Sequence, residues 1–263
     1  MSCVVPAGKD DRAGQKRPSA FTPSPTFLVL IAAFLFCAVW MLYRPDQARF
    51  VVFPLVLTGF LIALCLHEFG HAIIAYLCGD WSVREKGYLT LDPLRYTDAA
   101  YSILFPILIM VIGGIGLPGG AVYIDTRRLR RRLYAALVSA GGPFVTALIL
   151  GLLVVALPAT AIHPILYAAI SFLALLELTA LLFNIIPCPG LDGWGIVEPF
   201  FPERVRQVGR RMAPIGPLIV IVALIAIPEV NNTFWDTIYT ACGRIGVDPR
   251  VASIGFTLFQ FWR

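Results

Sequence analysis

The chain has 263 residues, of which 58% are hydrophobic and only 14% charged, with a mean hydropathy of +0.79 and a formal net charge of +5. Water-soluble domains carry about 25% charged residues, so this composition excludes a protein dissolved mainly in water. The basic residues gather in short clusters beside apolar runs, the mark of cytoplasmic loops in a membrane protein rather than of a nucleic-acid-binding surface.

The first 25 residues are polar, contain Pro18, Pro23 and Pro25, and read as a disordered cytosolic tail. Thr26–Tyr43 follows as the first apolar run. It is span-length, it follows a long basic stretch, and Arg44-Pro45-Asp46 stands where a cleavage site would need small residues, so it reads as an uncleaved anchor. The six cysteines are scattered singly with no C-x-x-C pair, which indicates neither a disulfide framework nor a thiolate zinc ribbon.

The second run, Val51–Cys78, carries His67-Glu68-Phe69-Gly70-His71. Residues four apart on an α-helix share a face, so both imidazoles can reach one metal ion. Glu68 lies between them, offset around the helix, and can act as a general base rather than a ligand. The run has no Asp, Lys or Arg, and ionisable groups at membrane depth default to a functional reading. Between Gly87 and Pro93, Tyr88-Leu89-Thr90-Leu91 suggests a short surface strand or hairpin, which could hold an unwound substrate by strand addition.

Tyr101–Ile124 is interrupted by Gly113-Gly114-Ile115-Gly116-Leu117-Pro118-Gly119-Gly120, a strong helix breaker, and Arg127–Arg132 follows it. Leu133–Leu157 and Ile165–Ile186 are further spans. The last of these runs into Asn184-Ile185-Ile186-Pro187-Cys188-Pro189-Gly190-Leu191-Asp192-Gly193, where two prolines break the helix. A third metal ligand is needed, and Glu177, Asp192 and His163 are the candidates near membrane depth. Asp192 stands out because irregular backbone at that depth is tolerated where it lines a hydrated cavity. Asn184 can hydrogen-bond backbone groups of an unwound substrate. A basic stretch, Arg204–Arg211, precedes the short run Ala213–Pro228, and the tail from 229 to 263 reads as interfacial. Asn231-Asn232-Thr233 matches a glycosylation sequon.

H-E-x-G-H on one span with N-x-x-P-x-x-x-L-D-G after a later span resembles the site-2 protease family of intramembrane zinc metalloproteases. The likeness covers most of residues 50–212, including Gly87–Arg95 and Ala140-Gly141-Gly142-Pro143. It implies one zinc ion on His67, His71 and Asp192, Glu68 as catalytic base, and site-shaping roles for Asn184, Pro187 and Gly193. The implied activity is hydrolysis of peptide bonds in or near transmembrane segments of protein substrates embedded in the same lipid bilayer. Three positions depart from the family's usual pattern: Gly190 where a second Pro is common, Trp194 where a Gly is, and Thr146 where an Asn is. They are expected to bear on substrate preference, not chemistry. A structural zinc site or a metal-handling transporter is the alternative, and Glu68 argues against it, since neither needs a base beside a ligand.

For His71 and Asp192 to meet, their helices must run in the same direction, which requires an odd number of crossings between them. Leu133–Leu157 supplies one, so Tyr101–Ile124 must cross zero times or twice; a re-entrant hairpin also keeps Arg127–Arg132 on the side of the basic N-terminus. The expected architecture is an all-α membrane protein with five spans, one re-entrant segment, a small surface β element and a cytoplasmic N-terminus, with an intramembrane protease domain over 26–228.

Overall fold

A computed structural model describes residues 21–95, 107, 110 and 132–262. The described helices are α1 (Pro25–Tyr43), α2 (Val52–Leu77), α3 (Ser82–Glu85), α4 (Arg132–Thr160), α5 (Pro164–Asn184), α6 (Asp192–Val197), α7 (Glu203–Met212), α8 (Gly216–Ala226), α9 (Pro228–Ile245) and α10 (Pro249–Phe259). Helices α1, α2, α4 and α5 are long and apolar enough to cross a membrane; α2 does so together with the 3-10 turn Pro45–Val51 that leads into it. The expected fifth span is shorter: α8 has 11 residues, or about 16 Å of helix against a hydrocarbon core of about 30 Å. It is bent 69° from α7, so the two form a corner.

α5 is the central element. It is apolar around its whole circumference, and Leu166, Ala169, Phe172, Leu173 and Leu176 are all buried, as expected of a helix enclosed by other helices. α10 lies against its first half, where a side chain on Gly255 would meet the Ala168 carbonyl, and Phe53 of α2 stacks on Phe259 at 4.9 Å. The C-terminal helix α10 is therefore docked on the bundle core. Asn231 is engaged as well, donating its side-chain amide to the Leu224 carbonyl at 2.9 Å.

Contacts between α2 and α4 fix their relative direction. His71 meets Val138, Gly70 meets Gly141, and His67 meets Thr146, so the numbering rises on one helix as it falls on the other. The pair is antiparallel, and the chain leaves α2 and enters α4 at the same end. α2 and α5 are parallel: Gly59 faces Leu173, and His67 and His71 lie farther along at the level of Asp192, beyond the end of α5. The parity reasoning from sequence holds for these helices, while the segment expected to be re-entrant lies almost wholly outside the described residues. The start of α1 sits at the same end, where Ser24 N–H donates to the Thr90 carbonyl (2.8 Å) and Phe21 packs edge-on against Tyr76.

No strand forms among the described residues, which corrects the expected surface β element. Tyr88–Thr90 is a 3-10 turn bracketed by Gly87 at φ 77° and Leu91 at φ 57°, and the Thr90 hydroxyl closes back onto the Gly87 carbonyl at 2.7 Å. Both flanking residues take the left-handed conformation, which ends an extended run on either side. Tyr88 and Leu89 are then buried in a cluster with Ala72 and Ala75 of α2, and no strand edge is left for a substrate.

Candidate metal centre

Two backbones approach without side chains between them where α2 crosses α4. A Cβ on Gly70 would stand 2.4 Å from the Gly141 carbonyl oxygen, and one on Gly141 would stand 2.5 Å from that of Gly70. In lipid, helices associate by such small-residue packing rather than by a hydrophobic driving force. The next residue, Gly142, leaves room for the ligands: a Cβ there would lie 2.3 Å from His71 Nε2 and 2.5 Å from His67 Nε2.

Each imidazole is held from behind. His71 Nδ1 lies 2.8 Å from the Val138 carbonyl oxygen. A carbonyl can only accept, so the proton sits on Nδ1 and the Nε2 lone pair faces forward. His67 Nδ1 lies 2.8 Å from Thr146 Oγ1, which can accept in the same way. Pro143 has no N–H to offer the carbonyl four residues back, which loosens the α4 ladder beside Val138.

Pro187 and Pro189 end α5, and the chain turns through Gly190 at φ 93° to bring Asp192 to the first position of α6. Asp192 Oδ2 stands 3.2 Å from His67 Nε2, and Oδ1 stands 3.3 Å from His71 Nε2. The two Nε2 atoms are 3.1 Å apart. Tetrahedral zinc with bonds of about 2.0–2.2 Å holds its ligand atoms roughly 3.3–3.5 Å apart, close to all three spacings. Two lone pairs and a carboxylate facing one another would repel without a cation between them, and Asp192 Oδ2 is buried with no hydrogen-bond partner. The donor set therefore fits a zinc ion. Of the other ligand candidates, Glu177 is buried on α5 seven residues before its end, and His163 caps the opposite end of that helix. Neither joins the cluster.

His67, Glu68 and His71 are all buried, whereas the Asp192 side chain keeps 20% exposure, so access to the centre is from the Asp192 side. Asn184 is buried as the last residue of α5, and Pro187 is exposed on the turn. Gly193 is required by a close approach, since a Cβ there would fall 2.2 Å from the Ile185 carbonyl oxygen.

A protein of Mycolicibacterium smegmatis named "Putative zinc metalloprotease Rip2" is 40% identical over 250 residues, 91% of this chain and 94% of that one. The protein of the same name in Mycobacterium tuberculosis (strain H37Rv) matches at 40% over the same extents, and "Putative zinc metalloprotease YwhC" of Bacillus subtilis at 30% over 204 residues, 71% and 89% of the two chains. The chain belongs to the site-2 protease family of zinc metalloproteases. Zinc, the cofactor those names carry, is the ion the donor set fits. No family model and no solved structure matches the chain.

One residue of this family member escaped the sequence reading. Thr146 was expected to bear on substrate preference rather than chemistry, yet it is the partner of His67 Nδ1. A signal was present: Val138, Gly142 and Thr146 recur every four residues on α4, and all three face the histidines. The Gly190 departure has a local cause as well, because φ 93° suits Gly and is closed to Pro.

Proposed function

We propose that this protein is an intramembrane endopeptidase that hydrolyses peptide bonds within or near transmembrane segments of other membrane proteins. The observation that supports it best is the placement of the His67–His71–Asp192 cluster inside a bundle of span-length apolar helices. The ends of α2 and α5 that approach the site lie on the cytoplasmic side, which agrees with the basic N-terminus and with Arg204–Arg211 following α5. His67 is about 15 Å of helix from the end of α2, a depth that supports chemistry below the headgroups. Five spans and one re-entrant segment remain the topology that satisfies both charge and parity.

When bound, zinc supplies a Lewis acid to the scissile carbonyl and to water. The rest falls to the chain. His67 and His71 are presented by Thr146 and the Val138 carbonyl, so little reorganisation is needed. Glu68 takes the proton of the attacking water and delivers it to the leaving amine. A substrate helix must unwind to expose its carbonyls, and Asn184, Pro187 and Gly193 shape the place where it does so, Asn184 by hydrogen-bonding the freed backbone. The test is Glu68→Gln in proteoliposomes with a single-span substrate. Zinc content should be unchanged while cleavage falls about 10²–10⁴-fold, the usual contribution of a general base. Normal cleavage by that variant would refute the role.

A further inference from the structure

α7 carries two distinct sides. Arg206 Nη1 bonds Glu203 at 3.0 Å, and Arg210 bonds both Glu203 and Glu198, so these charges are satisfied within the protein. On the other side Val205, Val208 and Met212 are exposed at 41%, 59% and 36%, within about 60° of arc at 100° per residue. Arg204 and Arg211 border that stripe, are exposed, and make no ion pair among the described residues. The stripe continues past the 69° corner into the exposed Leu218, Ile219, Val222 and Ile225 of α8, the outer wall of the bundle. Beneath α7 lies a cleft of about 330 Å³ lined by Pro189, Trp194, Arg204, Val205, Val208 and Gly209, nearly all of it apolar.

We infer that this cleft, with Arg204 in its wall and Arg211 two turns farther along α7, is a binding site for an anionic phospholipid of the adjoining leaflet. An acyl chain lies in the cleft along Pro189, Val205 and Val208, beside the Trp194 ring on which Gly209 packs, and the guanidinium groups of Arg204 and Arg211 take headgroup phosphates, for which the planar fork is suited. An apolar stripe bordered by arginines, on a helix turned away from its neighbouring span, is the pattern of an in-plane interfacial helix. The site reaches the metal centre by direct packing. Gly209 lies against Trp194, two residues from Asp192, with no room for a Cβ (2.2 Å to Cζ2), and Gly190 presses on the Ala213 carbonyl in the same manner. Lipid seated under α7 therefore steadies the loop that carries Asp192. This last step rests on the proposed function; the binding itself does not.

The experiment is native mass spectrometry of the full chain released from an equimolar mixture of phosphatidylglycerol and phosphatidylcholine. Wild type should retain phosphatidylglycerol preferentially, R204Q/R211Q should lose about tenfold of that retention, and R204K/R211K should keep most of it. Zinc content measured on each sample checks that the variants are folded. Retention by R204Q/R211Q equal to wild type overturns the site, whether or not the protein cleaves anything. Unchanged retention with altered cleavage would give the cleft to substrate and overturn it too. In proteoliposomes, wild-type cleavage should fall severalfold when phosphatidylglycerol is omitted, and R204Q/R211Q should be indifferent to the omission.

Discussion

Thr146→Val removes one hydroxyl and keeps the shape of the side chain, so it isolates the hydrogen bond to His67. In the zinc-loaded protein His67 must offer the Nε2 lone pair, which forces its proton onto Nδ1, 2.8 Å from the Thr146 oxygen. With valine there, that N–H is buried against a methyl group, since His67 is only 6% exposed. An orphaned buried donor costs about 1–3 kcal/mol. Without zinc the ring can carry its proton on Nε2 instead, so the penalty falls on the loaded state. Zinc affinity should therefore drop about 10–100-fold, a range that equals about 1.4–2.7 kcal/mol and matches what loss of such an orienting partner costs in metal sites. The assay is competition with a chromophoric chelator on purified protein, with unfolding of the zinc-free form followed in parallel. Thr146→Ser should stay near wild type, and Thr146→Asn should also bind, because its side-chain carbonyl can accept the same proton. A valine variant with wild-type affinity, or one whose zinc-free form is equally destabilised, would refute the orienting role.

Gly142→Ala should strip zinc while the matched Gly151→Ala does not: the first Cβ would lie 2.3 Å from His71 Nε2, and the second meets nothing within 4 Å on the same helix. Elemental analysis of the two purified variants decides it. His67→Ala combined with His71→Ala should carry no zinc, and retention in that double variant would remove the metal assignment. Thiol probes introduced at Asp98 and Asp125 should both be shielded from a reagent applied outside the cell, since α2 and α4 are antiparallel and the chain between them begins and ends on one side. Reaction at only one of the two positions would contradict that pairing.

The metal helix was legible because its chemistry stands against its surroundings: in a run without Asp, Lys or Arg, two histidines four residues apart with a glutamate between them have few other reasons to be present. Asp192 was legible through Pro187 and Pro189, which end a span and mark where backbone must be irregular. Thr146 was not, since a threonine in an apolar helix also satisfies itself on its own backbone, as Thr58 and Thr179 do here. The turn at Tyr88–Thr90 differs from the expected strand because an apolar-rich stretch between Gly87 and Pro93 suits either, while the positive φ of Leu91 belongs to an ordinary L-residue and leaves no compositional trace. A fifth crossing at α8 is less plain from hydropathy, because the apolar helix there has only 11 residues and joins α7 at a 69° bend.

The arrangement also accounts for why the third ligand comes from a broken helix rather than from a third intact one. α2 and α5 are parallel neighbours, so a carboxylate on an unbroken α5 would have to reach across the α2–α5 packing from within an apolar interface, as the buried Glu177 would, with one oxygen already lacking a partner. Ending α5 at Asn184 and turning the chain through Gly190 lets Asp192 approach the histidines from outside that interface. It keeps 20% exposure there, so water can reach the carboxylate while His67 and His71 stay buried against α4. The same turn sets Trp194 against Gly209 of α7 while Gly195 packs on Ser139 of α4, so α6 links the Asp192 ligand to both helices. Sensitivity of the site to its lipid surroundings should therefore enter through Asp192 rather than through the histidines.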